Sequence, residues 1–299
     1  MEVPEWGALP VEKYLIRHWD HSSAQTAVQQ HLHLIHEFLE INQVPDDWCP
    51  NPTKPTHEEI DTILRPWRPD NVRAKAAAIW TNDQLPLIIR THYNPDDDDK
   101  MAEWVEAEEE FRDNAYWACI DDVNHFDFGS DWKMIYDILP EVAGQKNAPR
   151  YKIPPDSAAE EALSLAIRRS QFKDYLRELK QSDPAKWRDD PHYMIESAAV
   201  DLQCDVCALR IIIMDQEAFE TERPLLVSVD YRRNVIRETR FELNDQSMVD
   251  IYTSWLDIQT PDWIWAEAKI GDKSRVDREI GRQLYQLTDA DFEGPWSLY

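Results

Sequence analysis

Glycine is scarce and scattered in this chain: six occur in 299 residues, at positions 7, 129, 144, 271, 281 and 294, and the nearest two stand ten apart. Sites that cradle phosphate on the backbone need clustered glycines, because a Cβ keeps the chain from approaching the phosphate closely. The dinucleotide fingerprint and the P-loop therefore cannot be built in their usual form. The G-x-S-x-G elbow of the serine hydrolases is missing for the same reason. What remains open is a fold of ordinary helices and strands without a glycine-rich ligand turn, and no cofactor is expected.

Charge narrows the partners further. The 58 acidic and 32 basic side chains leave a formal charge of −26. A field of that sign repels phosphate backbones and anionic lipid, so no nucleic acid and no membrane is expected as a partner. Disordered acidic chains are poor in aromatics. Here 13 Trp, 11 Tyr and 8 Phe supply a core, despite a mean hydropathy of −0.64. Cysteines 49, 119, 204 and 207 are too few and too dispersed for a disulfide framework. Met1 to Trp6 carries no basic segment followed by an apolar one. Pro295 to Tyr299 matches no retention or lipidation signal. No run approaches the ~18 apolar residues of a membrane span. A soluble, cytoplasmic protein is the expectation.

Periodicity divides the chain. Residues 1–83 read as a helical region. Ser22 or Ser23 can cap a helix reaching Ile41, with Val28, Leu32, Ile35 and Leu39 on one face. A Pro-rich connector follows. Thr56 and Glu59 form a capping box, and Asp70 can cap a helix over 71–80. Residues 84–299 read as an α/β domain of α+β character, with one mixed sheet of about five strands flanked by helices. The strand candidates are 87–90, 117–120, 209–214, 225–229 and 239–243, the last two forming a hairpin. An acidic helix over 96–111 presents Met101, Trp104, Val105 and Phe111 on one face. A helical insertion is expected at about 140–205, with capping signals at Ser157/Glu160 and Asp190-Pro191. Three closing helices are expected near 246–255, 262–269 and 275–287.

Several residue groups carry possible chemistry. Asp121, Asp122, Asp215 and Asp230 each follow a strand candidate. Parallel strands bring such residues to one carboxyl edge, where open α/β sheets bind ligands and where Asp121, Asp122 and Asp215 can hold a hard cation such as Mg²⁺. Asp is also a common turn former, and a mixed sheet sends some strand ends to the opposite edge. Five histidines lie between His18 and His36, the others being His21, His31 and His33. His36 with His33 or with Glu40 has a spacing that grips a metal on one helix face. In His36-Glu37-Phe38-Leu39-Glu40, however, Glu stands where a zincin has its second imidazole. Cys204-Asp205-Val206-Cys207 has the redox-pair spacing, but it precedes a strand instead of opening a helix. The Asp96–Asp99 run and the glutamates from Glu103 to Glu110 suit a helix N-terminus and its solvent face. Trp255, Trp263, Trp265 and Trp296 could line a ligand groove or a partner surface. Trp255 with Leu256 and Ile258 better suits packing a helix onto the sheet, whereas Trp263 and Trp265, at i and i+2, diverge on a helix, and one of them is a hint of an interaction surface.

Two blocks together bear a family likeness. The first is Pro86-Leu87-Ile88-Ile89-Arg90-Thr91, then the acidic segment with Trp104, then Cys119-Ile120-Asp121-Asp122. The second is Arg223-Pro224-Leu225-Leu226-Val227-Ser228-Val229-Asp230, followed by Thr239 to Leu243 and by 251–258. Over about residues 85–122 and 208–270 the chain resembles a small domain family of unknown function, in which similar blocks lie closer together. The resemblance implies a compact α/β domain, with 140–205 as an insertion and 1–83 as an addition. It implies no activity and no catalytic residue.

With phosphate loops and nucleophile arrangements missing, the leading expectation is an intracellular acidic protein that works through protein–protein contacts. The alternative is a metal-dependent enzyme or small-ligand binder using Asp121, Asp122 and Asp215.

Overall fold

In a computed structural model the described residues are 3–41, 54–81, 87–111, 118–143, 174, 176–178, 180–190, 207–230, 232–244, 251, 264 and 268–271. Four helical segments come first: α1 (Pro10–His18), α2 (Ala27–Leu39), α3 (His57–Glu59), which continues as a π-helical turn over Ile60–Leu64, and α4 (Asp70–Thr81). Then follow β1 (Leu87–Arg90), α5 (Asp98–Phe111), β2 (Ala118–Ile120), α6 (Val123–Phe126) and α7 (Ile135–Ile138). A short α8 (Pro184–Asp189) is succeeded by β3 (Leu209–Met214), α9 (Gln216–Thr221), β4 (Leu225–Val229), β5 (Val235–Arg240) and β6 (Lys269–Ile270).

The strands form one mixed sheet of six in the order β2-β1-β3-β4-β5-β6, and the α/β class holds. β1 pairs in parallel with both β2 and β3, while β3, β4, β5 and β6 pair antiparallel in turn. The sixth strand, two residues long, is one more than the sequence patterning called for. The hairpin forms, but its second strand starts four residues earlier than read, at Val235. The reason is the turn. Asp230 Oδ1 accepts from the backbone N–H groups of Arg232 and Asn234, and Arg233 takes the left-handed conformation at φ 65°, so pairing resumes at once. Phe241 and Leu243 lie beyond the ladder, Phe241 buried and Leu243 packed against the same cluster.

Alternation along the strands sends side chains to two cores. Leu87, Ile89, Ile211, Ile213 and Val227 join the cluster that also holds Leu15, Ile35, Phe38, Leu64, Val72 and Ile79 from the N-terminal helices. Ile88, Ile212, Met214 and Leu226 join the other, with Met101, Phe219 and Phe241.

Helix α2 starts later than expected, at Ala27. Its cap is Thr26, whose side chain accepts from Gln29 N while the Gln29 side chain accepts from Thr26 N. The buried face is centred on His31, Leu34, Ile35 and Phe38. Leu32 falls on its flank at 37% exposure, and Val28, in the first turn, is 67% exposed. The Thr56–Glu59 capping box is present as read. The signal at Ser157/Glu160, Pro191 of the Asp190-Pro191 signal, most of the proposed insertion, most of the closing helices and the four C-terminal tryptophans fall outside the described residues. Ile251 and Ile264 are helical, whereas Lys269, read as the end of a helix over 262–269, stands in β6 because it pairs with Glu238 of β5.

Candidate functional site

Three of the four strand-end aspartates share an edge. Because β1, β2 and β3 are parallel, Asp121 and Asp122 after β2 and Asp215 after β3 lie at the carboxyl edge beside Arg90 and Thr91. Asp230 ends an antiparallel strand and so lies at the opposite edge. β1 separates Asp121 from Asp215 by two strand spacings, about 10 Å between backbones.

The centre of this edge is occupied by the chain's own cation. Arg90 lies on the α5 side of the sheet and is buried. Its Nη2 is 2.7 Å from Asp98 Oδ1 and its Nη1 3.8 Å from Asp121 Oδ2. Its Nε donates to His92 O at 2.9 Å. The guanidinium also sits over the rings of Tyr93, at 4.7 Å, and Phe219, at 5.3 Å. Trp104 stacks on Phe219 at 5.2 Å. An arginine so enclosed is fixed in place, and it fixes both carboxylates with it.

Tyr93 links β1 to β2. Its hydroxyl donates to Arg90 O at 3.2 Å and accepts from Asp122 N at 2.8 Å. Burial drives the phenol pKa far above its ordinary value, so Tyr93 stays protonated. Thr91 donates to Gly129 O and its carbonyl accepts from Gly129 N, both at 2.8 Å, which pins the loop after α6 at the same edge. Gly129 has φ +58°, a conformation that suits glycine.

Asp122 serves as the cap of α6. Its Oδ1 accepts from Asn124 N at 3.0 Å, while Oδ2 lies 3.1 Å from His125 Nδ1 and 3.3 Å from Asn71 Nδ2. Burial works to raise this carboxyl, but the His125 imidazole beside it and the hydrogen bonds from Asn124 and Asn71 outweigh it and hold the pKa below the usual carboxylate value. Asp215 caps α9 through Ala218 N and receives both Arg240 Nη atoms at 2.8 and 2.7 Å. Each of the three aspartates is thus engaged by a guanidinium, an imidazole or a helix terminus. Among the described residues no group of three His, Cys, Asp or Glu side chains is arranged to hold a metal ion.

The other sequence candidates separate. His36 Nε2 meets Asp137 on α7 at 2.7 Å, whereas Glu40 meets Arg233 at 2.5 Å, so this pair does not converge. His33 lies 3.5 Å from Glu37, and His18 stacks on Tyr14 at 4.2 Å. His31 is buried with Nε2 2.6 Å from Ile63 O. Cys207 is a free thiol whose pKa burial pushes up, which opposes nucleophilic reactivity. Its expected companion Cys204 lies outside the described residues. Sequence reasoning missed Arg90, Tyr93 and Arg240. The available signal was a charged residue closing the apolar run Leu87-Ile88-Ile89-Arg90, since an arginine buried there must find carboxylates.

Comparison with family models, with curated proteins and with solved structures finds no match to this chain, and the resemblance of its two sequence blocks to a domain family gains no support there.

Proposed function

We propose that the chain acts through protein contacts and that the carboxyl edge of β1 and β2 docks a basic surface of its partner. The observation that supports this reading is the seating of Arg90. It holds Asp98 and Asp121 from beneath, while Asp98 stays 64% and Asp121 38% exposed at the side chain. Carboxylates fixed in this way lose little freedom when a partner engages them. Asp96, Asp99, Asp127 and Asp131 are exposed nearby in sequence, and Val123 on α6 offers an apolar contact at 52% exposure. Exposed carboxylates together with a small apolar spot give complementarity to a basic protein and repel nucleic acid and anionic lipid. A reducing cytoplasmic setting suits the free thiol of Cys207. Among the described residues no helix is long and apolar enough to cross a membrane.

The test is affinity capture by the wild type and by the triple variant Asp96→Asn/Asp98→Asn/Asp99→Asn, with circular dichroism as the control for folding. The expected result is a stoichiometric basic partner that is retained at low salt, released as salt rises, and lost by the variant. Recovery of the same proteins by both chains counts against the reading.

The second reading is a metal-dependent enzyme or small-ligand binder, favoured by the common edge of Asp121, Asp122 and Asp215. It needs a divalent ion to displace the internal cations. Mg²⁺, Mn²⁺ or Zn²⁺ then raises the melting temperature by mass action, and Asp121→Asn removes the rise. No shift with any of the three ions ends it.

A further inference from the structure

We draw no further inference here: the strongest candidate, the buried row of Arg210, Ser228 and Arg237 across β3, β4 and β5 on the α5 side of the sheet, has both guanidiniums already engaged within the chain and therefore does not call for an anionic ligand.

Discussion

The Arg68 guanidinium grips the Glu141 carboxylate through two hydrogen bonds of 2.9 and 2.7 Å, with both side chains withdrawn from solvent. The pair belongs to a larger buried set. Arg68 also lies 3.9 Å from Glu12 on α1, and Glu12 in turn receives Arg73 Nε from α4 at 2.7 Å. Glu12 Oε2 accepts from Gly7 N at 2.8 Å, and Arg73 stacks over Trp6 at 3.4 Å. Two arginines and two glutamates thus tie α1, α4, the segment between α3 and α4, and the turn after α7 into one neutral cluster.

Removing one member leaves a buried charge without its counter-charge. Glu141→Ala is expected to cost about 3–5 kcal/mol, and Arg68→Met/Glu141→Leu, which removes both charges, distinctly less. Urea unfolding of the two variants measures the difference. Equal losses would show that packing rather than charge pairing dominates the site.

Arg90 makes a bidentate-style bridge that an ammonium cannot copy. Arg90→Lys keeps the charge but loses the fork that reaches Asp98, Asp121 and the carbonyls of His92 and Asn94. A loss of about 1–3 kcal/mol is expected, with Arg90→Met at least as severe. Denaturant midpoints for the two variants provide the check, and a neutral Arg90→Lys would refute the role given to the fork.

His31 makes stability depend on pH. Burial pulls its pKa below the ordinary 6.5, against the backbone carbonyls of Ile63 and Ala27, which favour the charged ring. The unfolded chain therefore takes up a proton first as pH falls through about 6.5, where an unperturbed imidazole titrates. The contribution of this site is complete above that pH and declines toward the lower folded pKa, by at most about 1.4 kcal/mol per pH unit. Thermal melts between pH 7.5 and 5 should show a shallower fall for His31→Gln than for the wild type. Parallel profiles would place the acid sensitivity elsewhere.

How much was legible in the sequence follows from the range of each interaction. The apolar runs 87–90, 209–214 and 225–229 and the Thr56–Glu59 box depend on neighbours a few residues away, and each forms where it was read. The start of β5 was misplaced because it depends on the left-handed Arg233, a non-glycine residue that composition does not mark. The common edge of Asp121, Asp122 and Asp215 depends on strand direction, and it emerged only with the parallel pairing of β1 to both neighbours. Pairs such as Glu12–Arg73 and Arg68–Glu141, 61 and 73 residues apart, have no local pattern at all. Nothing next to them in the sequence marks these charges as buried, and only the packing of the N-terminal helices on the sheet puts them inside.

Tyr136 gives the last test. It is buried on α7, close enough to feel the charges of Asp230 and Arg233, yet its hydroxyl has no hydrogen-bond partner among the described residues. An unmet buried hydroxyl costs about 1–3 kcal/mol, and its removal keeps the ring and its packing against Trp132. Tyr136→Phe is therefore expected to raise the melting temperature, unlike the usual outcome of a core substitution. If calorimetry instead finds the variant less stable, the hydroxyl has a partner in solution, and the Asp230 carboxylate, whose charge acts on this phenol, is the first acceptor to test.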